Sequence, residues 1–194
     1  MIRIIVDSSA DNNCEELEEK QMTLVSLTIN LDEKLYLDGM DITRDQLYEW
    51  LMESKGFPKT SQPSPEDFAC HFKEAKEAGD DVICILLSSA LSGTCQSAHL
   101  AKSMVKYDNI YIVDSLSATH VIRFLADKAD KMRKEGHTAS EIVAVLEDLK
   151  GRAKVIAAVD TLEYLCRGGR VSRTVATIGC HVGPGAFGVL FVHK

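Results

Sequence analysis

An α/β fold, with a mostly parallel sheet and helices on both faces, is what the sequence predicts. Three observations predict it. Short apolar runs rich in β-branched residues recur along the chain, helical patterns fall between them, and the runs are near-continuous, as strands covered on both faces require. Strand alternating with helix is the signature of a parallel sheet.

The predicted strands, in order, are Ile2 to Val6, Leu24 to Leu31, Val82 to Leu87, Ile110 to Val113, Val155 to Val159 and Phe187 to Val192. Arg44 to Met52 places Leu47, Tyr48 and Leu51 on one helical side. Pro65 to Ala78 opens with proline, a favoured first-turn residue, and stops before Gly79. Ser92 to Val105 follows directly on a strand. His120 to Glu135 carries Val121, Phe124, Leu125 and Met132 at helical spacing and ends at Gly136. Thr138 caps a helix through Leu149, with Glu141 completing a capping box. The expected division is an α/β domain over 1–160, then a glycine-rich remainder, 161–194, of helix, loops and a final strand.

The 194 residues are 45% hydrophobic and 26% charged, with a net charge of −7. That balance excludes a general nucleic-acid binder, which needs a basic face. It leaves room for one anionic ligand, since backbone N–H groups and hydroxyls bind anions locally. No apolar run reaches membrane-spanning length. The six cysteines form no C-x-x-C pair and no metal-finger spacing, so free thiols in a reducing cytoplasm are expected.

Two hydroxyl-rich turns stand out. Lys59-Thr60-Ser61-Gln62-Pro63-Ser64-Pro65 precedes a helix start, where hydroxyls and the helix N-terminus can hold an anion together; Ser64 also reads as that helix's N-cap. Ser88-Ser89-Ala90-Leu91-Ser92-Gly93-Thr94 joins a strand to a helix, and its glycine admits close backbone approach. This second turn is neither a Walker A loop nor a nucleophile elbow, since both glycine patterns are absent. His181-Val182-Gly183-Pro184-Gly185-Ala186 offers a histidine as donor or base beside a tight backbone. Asp7-Ser8-Ser9 and Asp114-Ser115 each close a strand, where loop-ordering hydrogen bonds are the ordinary role and metal ligation is not expected. Arg167-Gly168-Gly169-Arg170 reads as a helix C-cap flanked by charge.

The order of these motifs resembles the DegV family of bacterial fatty-acid-binding proteins. Asp7-Ser8-Ser9, Thr60-Ser61-Gln62-Pro63-Ser64, Leu91-Ser92-Gly93-Thr94-Cys95-Gln96-Ser97-Ala98, Asp114-Ser115, Thr161-Leu162-Glu163-Tyr164-Leu165 with Gly168-Gly169-Arg170-Val171-Ser172, and the His181 motif carry it across nearly the whole chain. The resemblance implies a long-chain fatty acid whose carboxylate is held by Thr60, Ser61, Ser92, Gly93 and His181. Asp7, Ser8, Ser89, Ser115 and Arg170 would lie close to the ligand. It also implies a carrier in lipid metabolism, with no cofactor or catalysis of its own, that presents the acid to a fatty-acid kinase.

Two departures from the family pattern bear on that expectation. Gly179-Cys180 runs straight into His181, where the family continues into a second α/β domain, so an internal block is read as missing. Asp114 to His120 lacks a glycine that the pattern carries. In the family the acyl tail lies between two domains. Burying a methylene contributes roughly 0.8 kcal/mol, so a tail of about fifteen has a gross term near 12 kcal/mol. A hydrogen bond to a carboxylate contributes about 1.5–3 kcal/mol. Uncovering half the tail therefore costs more affinity than losing one headgroup hydroxyl. The expectation is a headgroup site largely present, with tail enclosure incomplete. Two alternatives stay open: an acyl hydrolase using Ser92 as nucleophile and His181 as base, and a non-functional truncated remnant.

Overall fold

The computed structural model describes residues 1–53, 56–158 and 187–192. Its centre is a parallel sheet of β1 (Ile2–Asp7), β2 (Met22–Val25), β6 (Asp81–Leu86) and β7 (Ile110–Asp114), in the spatial order β2-β1-β6-β7. Register is set by pairs such as Ile5 with Thr23, Ile5 with Cys84, and Ile85 with Val113.

Side-chain alternation sends each strand's residues to two separate cores. Ile4, Val6, Ile83, Ile85, Leu87 and Val113 face one side. Against them lie Leu17 of α1 (Cys14–Glu19), an apolar stripe of α5 (His120–Lys134) from Val121 to Met132, and Ile142 and Leu146 of α6 (Ala139–Arg152). Ile5, Val82, Cys84, Leu86 and Ile110 face the other. There they meet Phe68 and Phe72 of α3 (Pro65–Ala78) and Ala98 and Ala101 of α4 (Thr94–Val105). Fully burying side chains of this size contributes about 1.5–3 kcal/mol each. This double covering is why the strands read as continuous apolar runs.

The segment expected as one strand, Leu24 to Leu31, is two. It breaks at Ser26-Leu27, and its second half, β3 (Thr28–Leu31), joins a different sheet with β4 (Lys34–Leu37) and β5 (Lys59–Ser61) in the order β4-β3-β5. Both pairings of β3 are antiparallel. Thr60 and Ser61, expected in a turn, therefore lie on a strand: β3 offers a free edge, and the backbone hydrogen bonds of residues 59–61 are satisfied there. Ile29, Leu31 and Ile42, with Leu47 and Trp50 of α2 (Arg44–Glu53), form this sheet's own small core.

The helix expected from Ser92 begins at Thr94, with Gly93 as N-cap. The capping box at Thr138 and Glu141 is present as read. α1 was not expected, although Asn13 and Glu16 form a capping box of the same kind. β8 (Ala153–Ala158) pairs antiparallel with β9 (Phe187–Val192) as a two-stranded sheet that joins the 1–160 and 161–194 segments.

Candidate functional site

In the strand order β2-β1-β6-β7 the chain leaves β1 in one direction and later returns to β6 on its other side. The topological switch point therefore lies between β1 and β6, and ligands of open parallel sheets bind at the carboxyl ends of the strands beside such a point.

That rim is built from polar groups that bind one another. Asp7 is fully buried. One carboxylate oxygen accepts the Leu87 N–H at 2.6 Å, and the other accepts the Ser9 N–H at 2.9 Å together with the Ser9 hydroxyl. Burial pushes the Asp7 carboxyl above its ordinary range, against the pull of the Ser9 and Leu87 donors. Across the rim, Asp114 accepts the Ser89 hydroxyl at 2.5 Å and the Leu116 N–H at 2.9 Å. The buried Ser115 hydroxyl donates to the Ser117 carbonyl at 3.0 Å, and the same carbonyl accepts the Ser88 N–H at 2.9 Å. The Ser8 hydroxyl oxygen accepts the Leu27 N–H at 3.1 Å. Asp7, Ser8, Ser89 and Ser115 thus tie the loops together. Asp7 from β1 and Asp114 from β7 hold the turn after β6 from both sides.

The turn delivers its free chemistry at the start of α4. Helices α1, α3 and α6 are each closed by a capping box of their own, including Ser64 with Asp67 on α3. Gly93 supplies no capping side chain to α4. The positive end of that helix dipole therefore faces the rim uncapped by its own N-cap residue. Beside it the Ser92 oxygen accepts the Thr94 N–H at 3.3 Å and lies 2.9 Å from the Thr94 hydroxyl. Cys95, one residue on, carries a buried thiol. Its thiol is pushed up to about 12, first by burial and then by the Asp114 and Asp7 carboxylates.

Gln62, directly after β5, reaches this place. Its amide nitrogen donates to the Ser97 hydroxyl at 3.0 Å, on the first turns of α4. Its carboxamide occupies the space that a Cβ on Gly93 would fill. Gly93 is needed for this close approach, since its φ of −76° is open to any residue. Thr60 and Ser61 are both exposed, and successive strand residues point to opposite faces. By pairing, Thr60 shares its face with Ile29 and Tyr36, while Ser61 shares the other with Thr28 and Leu37.

The structure therefore brings Gln62, the residue after Thr60 and Ser61, against Gly93 and Ser97 at the start of α4, next to Ser92, and places Asp7, Ser8, Ser89 and Ser115 in the supporting loops. His181 and Arg170 lie outside the described residues. Sequence reasoning missed Gln62 and Thr94 as parts of this arrangement, whereas the loop-ordering role read for Asp114 is present in its bonds to Leu116 and Ser89. The Ser92-x-Thr94 spacing was the available signal for Thr94, since a hydroxyl two residues on can bond back locally.

The family model for DegV, described as an uncharacterised protein family, matches residues 1–180 of this chain. A DegV domain-containing protein of Caldanaerobacter subterraneus is 40% identical over 178 residues, which cover 92% of this chain and 63% of the relative. A stearic-acid-binding protein from Eubacterium ventriosum superposes with a TM-score of 0.84 at 35% identity, over 91% of this chain and 62% of that one. The Streptococcus pneumoniae fatty acid kinase B3 protein, solved loaded with linoleic acid, superposes with a TM-score of 0.77 at 25% identity, over 90% and 63%. The chain thus spans about 63% of the length of the curated relative. Sequence and backbone agree along nearly all of this chain, and on that agreement it belongs to the DegV family.

Proposed function

We propose that this chain binds a long-chain fatty acid by its carboxylate and presents it to a fatty-acid kinase as a carrier in lipid metabolism. The observation that carries the reading is the junction at α4. Gln62 pins the β5 hydroxyl segment against Gly93, beside Ser92, at a helix N-terminus with no capping side chain from Gly93. Hydroxyl donors and a positive helix end suit a small anion of two oxygens. Similarity to proteins solved with stearic and linoleic acids narrows that anion to a fatty-acid carboxylate, and similarity to a fatty acid kinase B protein supplies the partner. Thr60, Ser92 and Gly93 contact the headgroup in this reading, with Ser61 beside them. His181 and Arg170 are assigned to the site on the family resemblance alone.

We read the chain as a carrier without catalysis of its own. The DegV relatives solved with bound fatty acids support that reading. The free cysteines Cys14, Cys70, Cys84 and Cys95 suit a cytoplasmic setting, and no helix of the described residues is long and apolar enough to cross a membrane. The test is native mass spectrometry of delipidated protein offered palmitate or oleate. One bound acid per chain is expected, and protein that takes up neither acid overturns the reading.

A further inference from the structure

We infer that Thr94 is a positioning residue that fixes Ser92 as a hydrogen-bond donor to the ligand. The inference rests on the carboxylate-binding reading and deepens it.

Thr94 is fully buried, so its hydroxyl hydrogen has no bulk water to bond. Buried hydroxyls are almost always hydrogen-bonded. Among the described residues the Thr94 hydroxyl has one partner, the Ser92 oxygen at 2.9 Å. Either oxygen could donate across that distance, and burial decides which does. Ser92 is only partly buried and can find water or ligand for its own hydrogen, whereas Thr94 cannot. The Thr94 hydroxyl therefore donates to Ser92. The Thr94 N–H donates to the same oxygen at 3.3 Å.

A serine hydroxyl has two acceptor lone pairs and one hydrogen. Two donors from Thr94 occupy both lone pairs. The Ser92 hydrogen is left over and is available to a ligand. Donors feeding into an oxygen also polarise its O–H bond and strengthen the hydrogen bond it gives in turn. Ser92 so held is a good donor to a carboxylate. It is a poor nucleophile, because the electron pairs that would attack are already engaged. The same contact thus separates the carrier from the hydrolase that the sequence leaves open.

The test is a double-substitution cycle at positions 92 and 94, read as palmitate affinity of the delipidated chain. Thr94→Val keeps the shape and removes the hydroxyl, and is expected to weaken binding about tenfold, the size of one charge-assisted hydrogen bond. Thr94→Ser retains the donor and is expected to bind within about twofold of wild type. In a Ser92→Ala background, Thr94→Val is expected to add less than about twofold, because its effect passes through Ser92. A purely structural role would instead add its full loss in either background. Thr94→Ala repeats the cycle should the valine variant fold poorly. Wild-type affinity in Thr94→Val, or full additivity with Ser92→Ala, overturns the inference. A wild-type chain that binds no palmitate overturns the carrier reading and the inference with it.

Discussion

Thr60 and Ser61 are neighbours in sequence and point to opposite faces of the three-stranded sheet. We propose that one side-chain hydroxyl of the pair faces the end of α4, with Gln62 as the guide to which. Gln62, one residue beyond β5, turns to Ser97 and Gly93, and we take Thr60 as the hydroxyl on its side, by continuing the strand's alternation one residue further. Thr60→Ala is therefore expected to weaken palmitate binding about tenfold or more, and Ser61→Ala to leave it within about twofold. Titration of both variants by fluorescence displacement checks this, and equal losses contradict it. The distinction was hidden in the sequence. A Thr-Ser pair ahead of a proline-punctuated helix reads as a turn, and only the pairing with Ile29 and Thr28 shows the two hydroxyls diverging.

At the scale of the element, α5 is bound to the sheet by more than its apolar stripe. Arg133 donates to the carbonyls of Ile2, at 3.1 Å, and Lys20, at 2.6 Å, and to Asp130 at 2.6 Å. Arg123 pairs with Glu16 of α1, and Lys20 with Asp127 at 2.5 Å. Asp130 is the buried member of this set, also bonded to Lys134 at 2.8 Å. Burial alone would raise its carboxyl, but the hydrogen bonds and charges of Lys134 and Arg133 prevail and hold it below the ordinary 3.8. The unfolded chain therefore takes up this proton first on acidification. The contribution of Asp130 is complete above 3.8 and is lost as pH falls through the depressed folded value. Asp130→Asn is expected to lower Tm clearly at about pH 7, with the gap to wild type narrowing toward about pH 3. Thermal melts at the two pH values test this, and an unchanged gap refutes it.

Across the whole molecule, legibility followed burial. Strands covered on both faces announce themselves through uninterrupted apolar runs rich in β-branched residues, as at Val82 to Leu87, and helices through capping boxes and apolar stripes, as from Thr138 onward. β4 and β5 carry no such signal because they are short and mostly exposed. Their pairing is decided by a neighbouring edge and not by their own composition. The candidate site was legible as a list of hydroxyl motifs, because such residues are costly to place near a sheet end without partners. Their division of labour was not legible. Ser89 and Ser115 donate within the loops, Ser64 caps α3, and Ser92 alone of these serines combines a donor-saturated oxygen with a place at the start of α4.

The central claim is that the fatty-acid carboxylate sits at the start of α4. Amide chemical-shift mapping with carboxyl-labelled palmitate tests it most directly. The account predicts the largest shifts at Ser92 to Gln96 and Thr60 to Gln62, with cross-peaks from the labelled carbon to those amides. Saturable binding whose perturbations lie elsewhere, with these amides unmoved, would contradict it.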